Sequence, residues 1–339
     1  MGLVRPQVAC RRDETMRYIC TSIVATLVLA GTTLAATINV PGDYPTIQGA
    51  VDAASDGDEI LVAPGTYTSA APYEVVDMRN KAVWMHSSGG PDVTIIDGEQ
   101  TRRGIHCSDD VEGMTIEGFT IENCYGHTSG GGMYLDNNAQ PTLKNCTFTN
   151  NTANNNGGAI YCTGSSSPTI TGCSIANNTA HDGGGIFCGS WSQPAISNCV
   201  IESNTANNNG GGIHYSTNDN TTITDCEISG NTANTNGGGI FCGNSSSTIS
   251  GCTFTSNMPD AIVGDFTMGE PASPTGACCV SSGCVATTND DCTALGGTWL
   301  GEGGSCDDCP ASCMGDTDGN GVVNIEDLLN MLGSWGACP

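Results

Sequence analysis

Oxygen donors alternate along one short stretch near the C-terminus: Asp316, Asp318, Asn320, the Val322 carbonyl, Asn324 and Asp327. Calcium takes six to eight hard oxygen ligands, and Gly321 permits the sharp turn that would fold this stretch round one ion. The segment therefore reads as a calcium loop, with an acidic turn as the plainer alternative. Leu328, Leu329, Met331, Leu332 and Trp335 follow with the spacing of an apolar helix face. A disulfide between Cys313 and Cys338 would staple that helix to the loop.

A second set of candidates is dispersed. His106, Tyr134, Tyr161, Phe187, His214 and Phe241 recur at intervals of 26 to 28 residues. Aromatic rings stepping along a rigid face stack against sugar rings or a partner protein. A covering loop, or the opposite assignment of faces, would remove that surface. A third set is Glu202 and Glu227, placed by the same period on adjacent coils but two residues out of register. One rung and two residues separate them by about 8 Å, within the roughly 6.5–9.5 Å used by inverting glycosidases. Exposed acids are abundant, so this pair is a weak catalytic candidate, and His181 beside Asp182 is weaker still.

These residues need a scaffold that repeats. The phrase Gly-Gly-(Gly/Ala)-Ile occurs at Gly157–Ile160, Gly183–Ile186, Gly210–Ile213 and Gly237–Ile240, with a looser copy at Gly130–Met133. Cys146, Cys173, Cys199, Cys226 and Cys252 march in step, each followed five residues later by Asn: Asn151, Asn178, Asn204, Asn231 and Asn257. A period in this range marks a solenoid, whose repeats bury their apolar faces only by stacking. Period-2 runs of four to six residues between Asn, Gly and Ser clusters predict three short strands per coil, and the Gly, Asn, Thr and Ser density excludes a helical solenoid. The expected fold is all-β, a right-handed parallel β-helix, because parallel crossovers are right-handed.

Alternation turns Leu143, Cys146, Phe148, Ile160 and Cys162 inward and the aromatic stripe outward. Asn151 and its equivalents fall at a bend, where stacked amides hydrogen-bond up the column. The cysteine columns read as small apolar packing or as local disulfide pairs, parallel Cβ vectors at strand spacing being wider than disulfides prefer.

Met16-Arg17, an apolar run from Tyr18 to Ala30 and small residues to Ala36 predict a secretory signal over residues 1–36, with Met16 the better start. Residues 37–80 depart from the repeat and are placed to cap its N-terminal end, with a helix around Ile47–Ala54 and a strand at Glu59–Ala63. Residues 81–266 hold the repeats, 267–275 a linker, 276–310 a Cys-rich module for which disulfides are favoured over zinc, and 311–339 the calcium segment. The net charge is −26, which disfavours nucleic acid and anionic membranes as partners. No integral membrane span is expected in the mature chain.

The segment VPGDYPTIQGAVDAASDGDEILVAPGTY resembles the N-terminal cap of right-handed parallel β-helix proteins of the pectate-lyase-like group. The middle resembles the repeats of chlamydial polymorphic outer-membrane proteins, with GGAI at 157–160 and FxxN at Phe148–Asn151 and Phe254–Asn257. That resemblance implies the architecture but no single function, since such folds include lyases, hydrolases, esterases, adhesins and inert stalks. Lyases of this group commonly use an Arg or Lys base beside calcium-binding carboxylates, and no Lys or Arg follows Lys144. The Asp pairs and Arg-x-Lys signature of polygalacturonases, and the Asp-Arg-Gln set of pectin esterases, are also missing.

The tail GDTDGNGVVNIEDLLNMLGSW resembles one half of a type I dockerin, an EF-hand-like unit. The resemblance implies calcium as cofactor and a cohesin-like or cell-surface anchor as partner. Ile325-Glu326 stands where many dockerins carry the Ser-Thr pair that contacts cohesin, which favours a general docking or surface-retention tag. The sequence thus predicts a secreted or cell-surface protein that binds polysaccharide or a surface protein through a lateral face. A polysaccharide hydrolase or lyase is the alternative, and a structural stalk the third reading.

Overall fold

The computed structural model describes residues 35–109, 113–216, 221–268, 276–280, 283–287 and 298–302. The described residues between 36 and 268 form a parallel β-solenoid. It starts with the strand Thr37–Val40 and the helix Ile47–Ala53. Thr46 caps that helix by accepting a hydrogen bond from the Gly49 N–H at 3.1 Å. Ile47, Ala50 and Val51 pack onto the first coil. At the other end the Lys81 ammonium donates to the carbonyls of Val51, Asp52 and Ala54 at 2.7, 2.8 and 2.6 Å. Those carbonyls lack partners within so short a helix, and a cation there also complements its dipole.

Each regular coil carries four strands, one more than the sequence pattern predicts. The first wall, the ring wall, contains Arg103–Ser108, Met133–Asp136, Ile160–Cys162, Ile186–Cys188, Ile213–Tyr215 and the start of Ile240–Ser250. The second, rich in threonine, includes Thr115–Glu117, Thr142–Lys144, Thr169–Thr171, Ala195–Ser197 and Thr222–Thr224. The third includes Thr120–Glu122, Thr147–Thr149, Ser174–Ala176, Val200–Glu202 and Glu227–Ser229. The fourth consists of two-residue strands: Tyr125–Gly126, Thr152–Ala153, Thr179–Ala180, Thr205–Ala206 and Thr232–Ala233. Two residues are too few for alternation to be visible in the sequence, so this wall reads there as part of a turn.

Coils stack in parallel and in register. Leu143, Ile170, Ile196, Ile223 and Ile249 form one inner column, and Phe148, Ile175, Ile201, Ile228 and Phe254 another. Ile160, Ile186, Ile213 and Ile240 form a third behind the ring wall. All of these but Phe254 are at most 1% exposed. Burial of such a side chain is worth about 2 kcal/mol, and each flank of a column is supplied by the next coil.

The Cys146, Cys173, Cys199, Cys226 and Cys252 column is made of thiols rather than disulfides. Each Sγ donates to the carbonyl two residues earlier, at 3.1–3.5 Å. Hydrogen bonding to the thiol of the preceding coil, together with burial, outweighs the opposing bond from the thiol of the next coil and pushes Cys199 and Cys226 well above the usual thiol range, the signature of inert packing cysteines.

Beyond the solenoid, Gly276–Val280 pairs antiparallel with both Gly283–Thr287 and Thr298–Glu302. The rest of the Cys-rich module, the predicted signal up to residue 34, most of the linker and the whole calcium segment lie outside the described residues.

Candidate functional site

The ring wall is built from the glycine phrase. Its first glycine adopts a left-handed conformation, with φ of 65°, 65°, 63°, 66° and 61° at Gly130, Gly157, Gly183, Gly210 and Gly237, which costs glycine little. The second sits where a Cβ has no room: at Gly211 it would lie 2.6 Å from the Thr232 carbonyl oxygen and closer still to that of Gly238. The third is less constrained, since Ala159 fills it in one coil. The turn delivers the chain into a strand whose Ile points in, whose next residue points out, and whose third points in again.

That middle residue is aromatic in six successive coils. Register pairing joins His106 to Tyr134, Tyr134 to Tyr161, Tyr161 to Phe187, Phe187 to His214 and His214 to Phe241. The ring centroids are 5.6, 5.1, 5.4, 4.8 and 4.9 Å apart in that order. These separations are those of favourable aromatic pairs. All six side chains are partly exposed, so the rings form one continuous outward ladder about 24 Å long, five rungs at strand spacing.

The foot of the ladder is charged. Asp77 pairs in register with His106, and Glu74, on the same strand as Asp77, approaches both. Asp136 Oδ1 lies 3.4 Å from His106 Nε2. The Arg103 guanidinium sits over the Tyr134 ring at 4.4 Å and donates to the carbonyls of Gly130 and Ser129 at 3.0 and 3.1 Å. Burial pulls Arg103 below the usual guanidinium range, against the attraction of Glu74. Sequence reasoning passed over Arg103 and Glu74; the available signal was a charged residue two positions before Ile105, where later coils carry glycine.

Higher up, Asp182 touches the ladder from the turn one coil below. Its carboxylate contacts His214 Nδ1 at 3.4 Å and His181 Nδ1 at 2.9 Å, and accepts from Asn208 Nδ2 and the Asn209 N–H, both at 3.0 Å. Burial alone would raise its pKa, but the bonds from His214, His181 and Asn209 outweigh it and hold the carboxyl well below its usual range. A folded-state pKa below the unfolded one, near 3.9, gives stability that is present above that value and lost as the pH falls below it. Asp182→Asn is therefore expected to flatten the loss of stability between about pH 4 and pH 2, measured as urea midpoints against pH; an unchanged slope would contradict this account.

Glu202 and Glu227 occupy the third wall, not the ring wall. Glu202 pairs with Ser229 and Glu227 with Val200, so the two acids are two residues out of register. Both are exposed, without the burial that tunes a general acid. A polar groove of about 490 Å³ opens where Gln100, Asn123, Tyr125, Asn150 and Thr152 meet, off the ladder. The predicted calcium ligands Asp316, Asp318, Asn320, Val322, Asn324 and Asp327 lie outside the described residues.

Among the described residues no helix is long and apolar enough to cross a membrane. The sequence model of the family described as right handed beta helix region matches residues 103–294, more than half of the chain. No curated protein and no solved structure matches it.

Proposed function

This chain belongs to the right-handed β-helix family, and we propose that it is a secreted or cell-surface protein that binds a glycan along the ring ladder. One observation carries this reading: six partly exposed rings stand one above another in unbroken register on one wall of a rigid solenoid. Sugar rings present apolar C–H faces that lie against the outward edges of the aromatic rings, and a ladder of fixed spacing suits a polymer better than a monosaccharide. The net charge of −26 favours a neutral polysaccharide. A protein surface laid along the same rings would use the same contacts.

The signal-like N-terminus supports export, and the loop Asp316–Asp327 supports a calcium-stabilised tag that retains the protein on a cohesin-like or other surface anchor. The polysaccharide-cleaving alternative draws on a different pair from the one the sequence singled out. Asp97 and Glu122 pair in register on the third wall, and burial followed by the Asp97 charge raises the Glu122 pKa. Two carboxyls facing one another across a rung, one of them with a raised pKa, resemble the acid–base pairs of glycoside-cleaving sites.

A panel of plant and algal polysaccharides, probed with the purified mature chain and assayed for reducing ends and unsaturated products, tests the proposal. Retention without product is the expected result. Product formation abolished by Glu122→Gln would favour the enzyme, and retention of none of the panel would count against the glycan.

A further inference from the structure

Three side chains at the foot of the ladder are arranged as metal ligands. Glu74 and Asp77 project from one strand and His106 from the next coil, and one donor atom from each lies within 4.8 Å of the others. The side chains of Glu74, Asp77 and His106 are 21%, 22% and 26% exposed, so the site is recessed yet open to solvent.

The local charge balance favours a cation. Three carboxylates, Glu74, Asp77 and Asp136, surround one imidazole. Arg79 pairs with Asp77 at 2.7 Å but is 54% exposed, and a pair of that kind is largely screened. Arg103 is better buried, but its N–H groups serve the carbonyls of Gly130 and Ser129. Its approach to Glu74 is 3.9 Å, beyond hydrogen-bond length. Half-buried like charges that face one another without full compensation are stabilised by a bound cation.

We propose that Glu74, Asp77 and His106 hold one divalent transition-metal ion, zinc or a first-row neighbour, with Asp136 orienting the imidazole. Imidazole together with carboxylate selects zinc, nickel or copper-like ions over calcium and magnesium, which prefer oxygen alone. The contact of Asp136 with His106 Nε2 at 3.4 Å is the carboxylate–imidazole interaction that fixes the ring of metal-bound histidines. Three protein ligands leave positions open to solvent, beside Tyr134. A hydroxyl or carboxylate of a ligand on the rings could fill one, although the metal site stands whether or not the ladder binds a glycan.

Zinc titration of the chelator-stripped full chain by calorimetry, in saturating calcium so that the predicted C-terminal loop is filled, tests this site. The difference between proteins, not total zinc uptake, reads it, because any free thiol of the Cys-rich module would take up zinc equally in all of them. Wild type is expected to bind one more equivalent than Asp77→Asn or His106→Gln, and Asp136→Asn to weaken that event about tenfold. His127→Gln, which changes a histidine outside the cluster, should leave it unchanged. Asp77→Asn is nearly isosteric and decides the matter should His106→Gln fail to fold. Equal stoichiometry and affinity in wild type and Asp77→Asn would overturn the proposal, as would the absence of any zinc event in wild type beyond those of the variants.

Discussion

Gly211→Ala is expected to cost about 3 kcal/mol, the upper part of the range for overpacking, and to do so without touching any side chain. Its new Cβ would meet carbonyl oxygens of two segments of the following coil, those of Thr232 and Gly238. Backbone cannot rotate out of the way, so the coils must separate. The Gly211 N–H donates to the Gly237 carbonyl at 3.1 Å, and separation would stretch that bond as well. Gly212→Ala provides the comparison. It meets one carbonyl and the Asn231 amide, and the equivalent position already holds Ala159, so about 1 kcal/mol is expected. Urea midpoints of the two variants check the ordering. Amide hydrogen exchange should also localise the Gly211 defect to its own coil and the next, since solenoid repeats contact only their neighbours. Equal costs for the two substitutions would refute the close-approach account.

Asn204→Ala is expected to cost about 4 kcal/mol. The Asn204 amide, with no exposed surface, accepts from the Asn178 N–H and Asn178 Nδ2 at 3.0 and 2.9 Å. It donates to the Ile175 carbonyl and Asn231 Oδ1 at 2.8 and 3.0 Å. Asn178 Nδ2 has other acceptors in the carbonyls of Phe148 and Ala176, and Asn231 Oδ1 keeps the bond from the Asn204 N–H. The Asn178 N–H and the Ile175 carbonyl lose the partner that Asn204 supplied. The Asn178 N–H is left unpaired, which costs roughly 1–3 kcal/mol, and each of the other bonds lost costs about 1 kcal/mol more. Asn257, at the end of the same column, makes equivalent bonds to Asn231 and Ile228 but is only partly buried, so water can replace them. Asn257→Ala should cost less than half as much, again by urea denaturation. Similar costs at both positions would show that burial does not set the value of the column.

The repeating features were legible because each has a period and a polarity. The glycine phrase located the turns, alternation assigned Ile160 and Cys162 inward and Tyr161 outward, and the spacing of Asn151 to Asn257 placed stacked amides at a bend. The fourth wall was not legible, because Thr-Ala is too short to alternate. The surroundings of the ladder were hidden for a different reason. Glu74, Asp77 and Arg103 belong to early coils that lack the full glycine phrase, so no period brings them to His106. Asp182 is 32 residues from His214 in sequence, and only coil stacking joins a turn to the ring above it.

The ladder itself is tested most directly by one affinity measurement. Binding of the best polysaccharide from the panel is titrated calorimetrically against wild type and against Tyr161→Ala combined with Phe187→Ala, with Val200→Ala on the third wall as the comparison. Each ring lost from the contact is worth about 1 kcal/mol, so the double variant is expected to bind roughly 10- to 100-fold more weakly, while Val200→Ala binds as wild type does. Unchanged affinity in a double variant whose melting temperature matches that of wild type would contradict the assignment of this wall as the binding face.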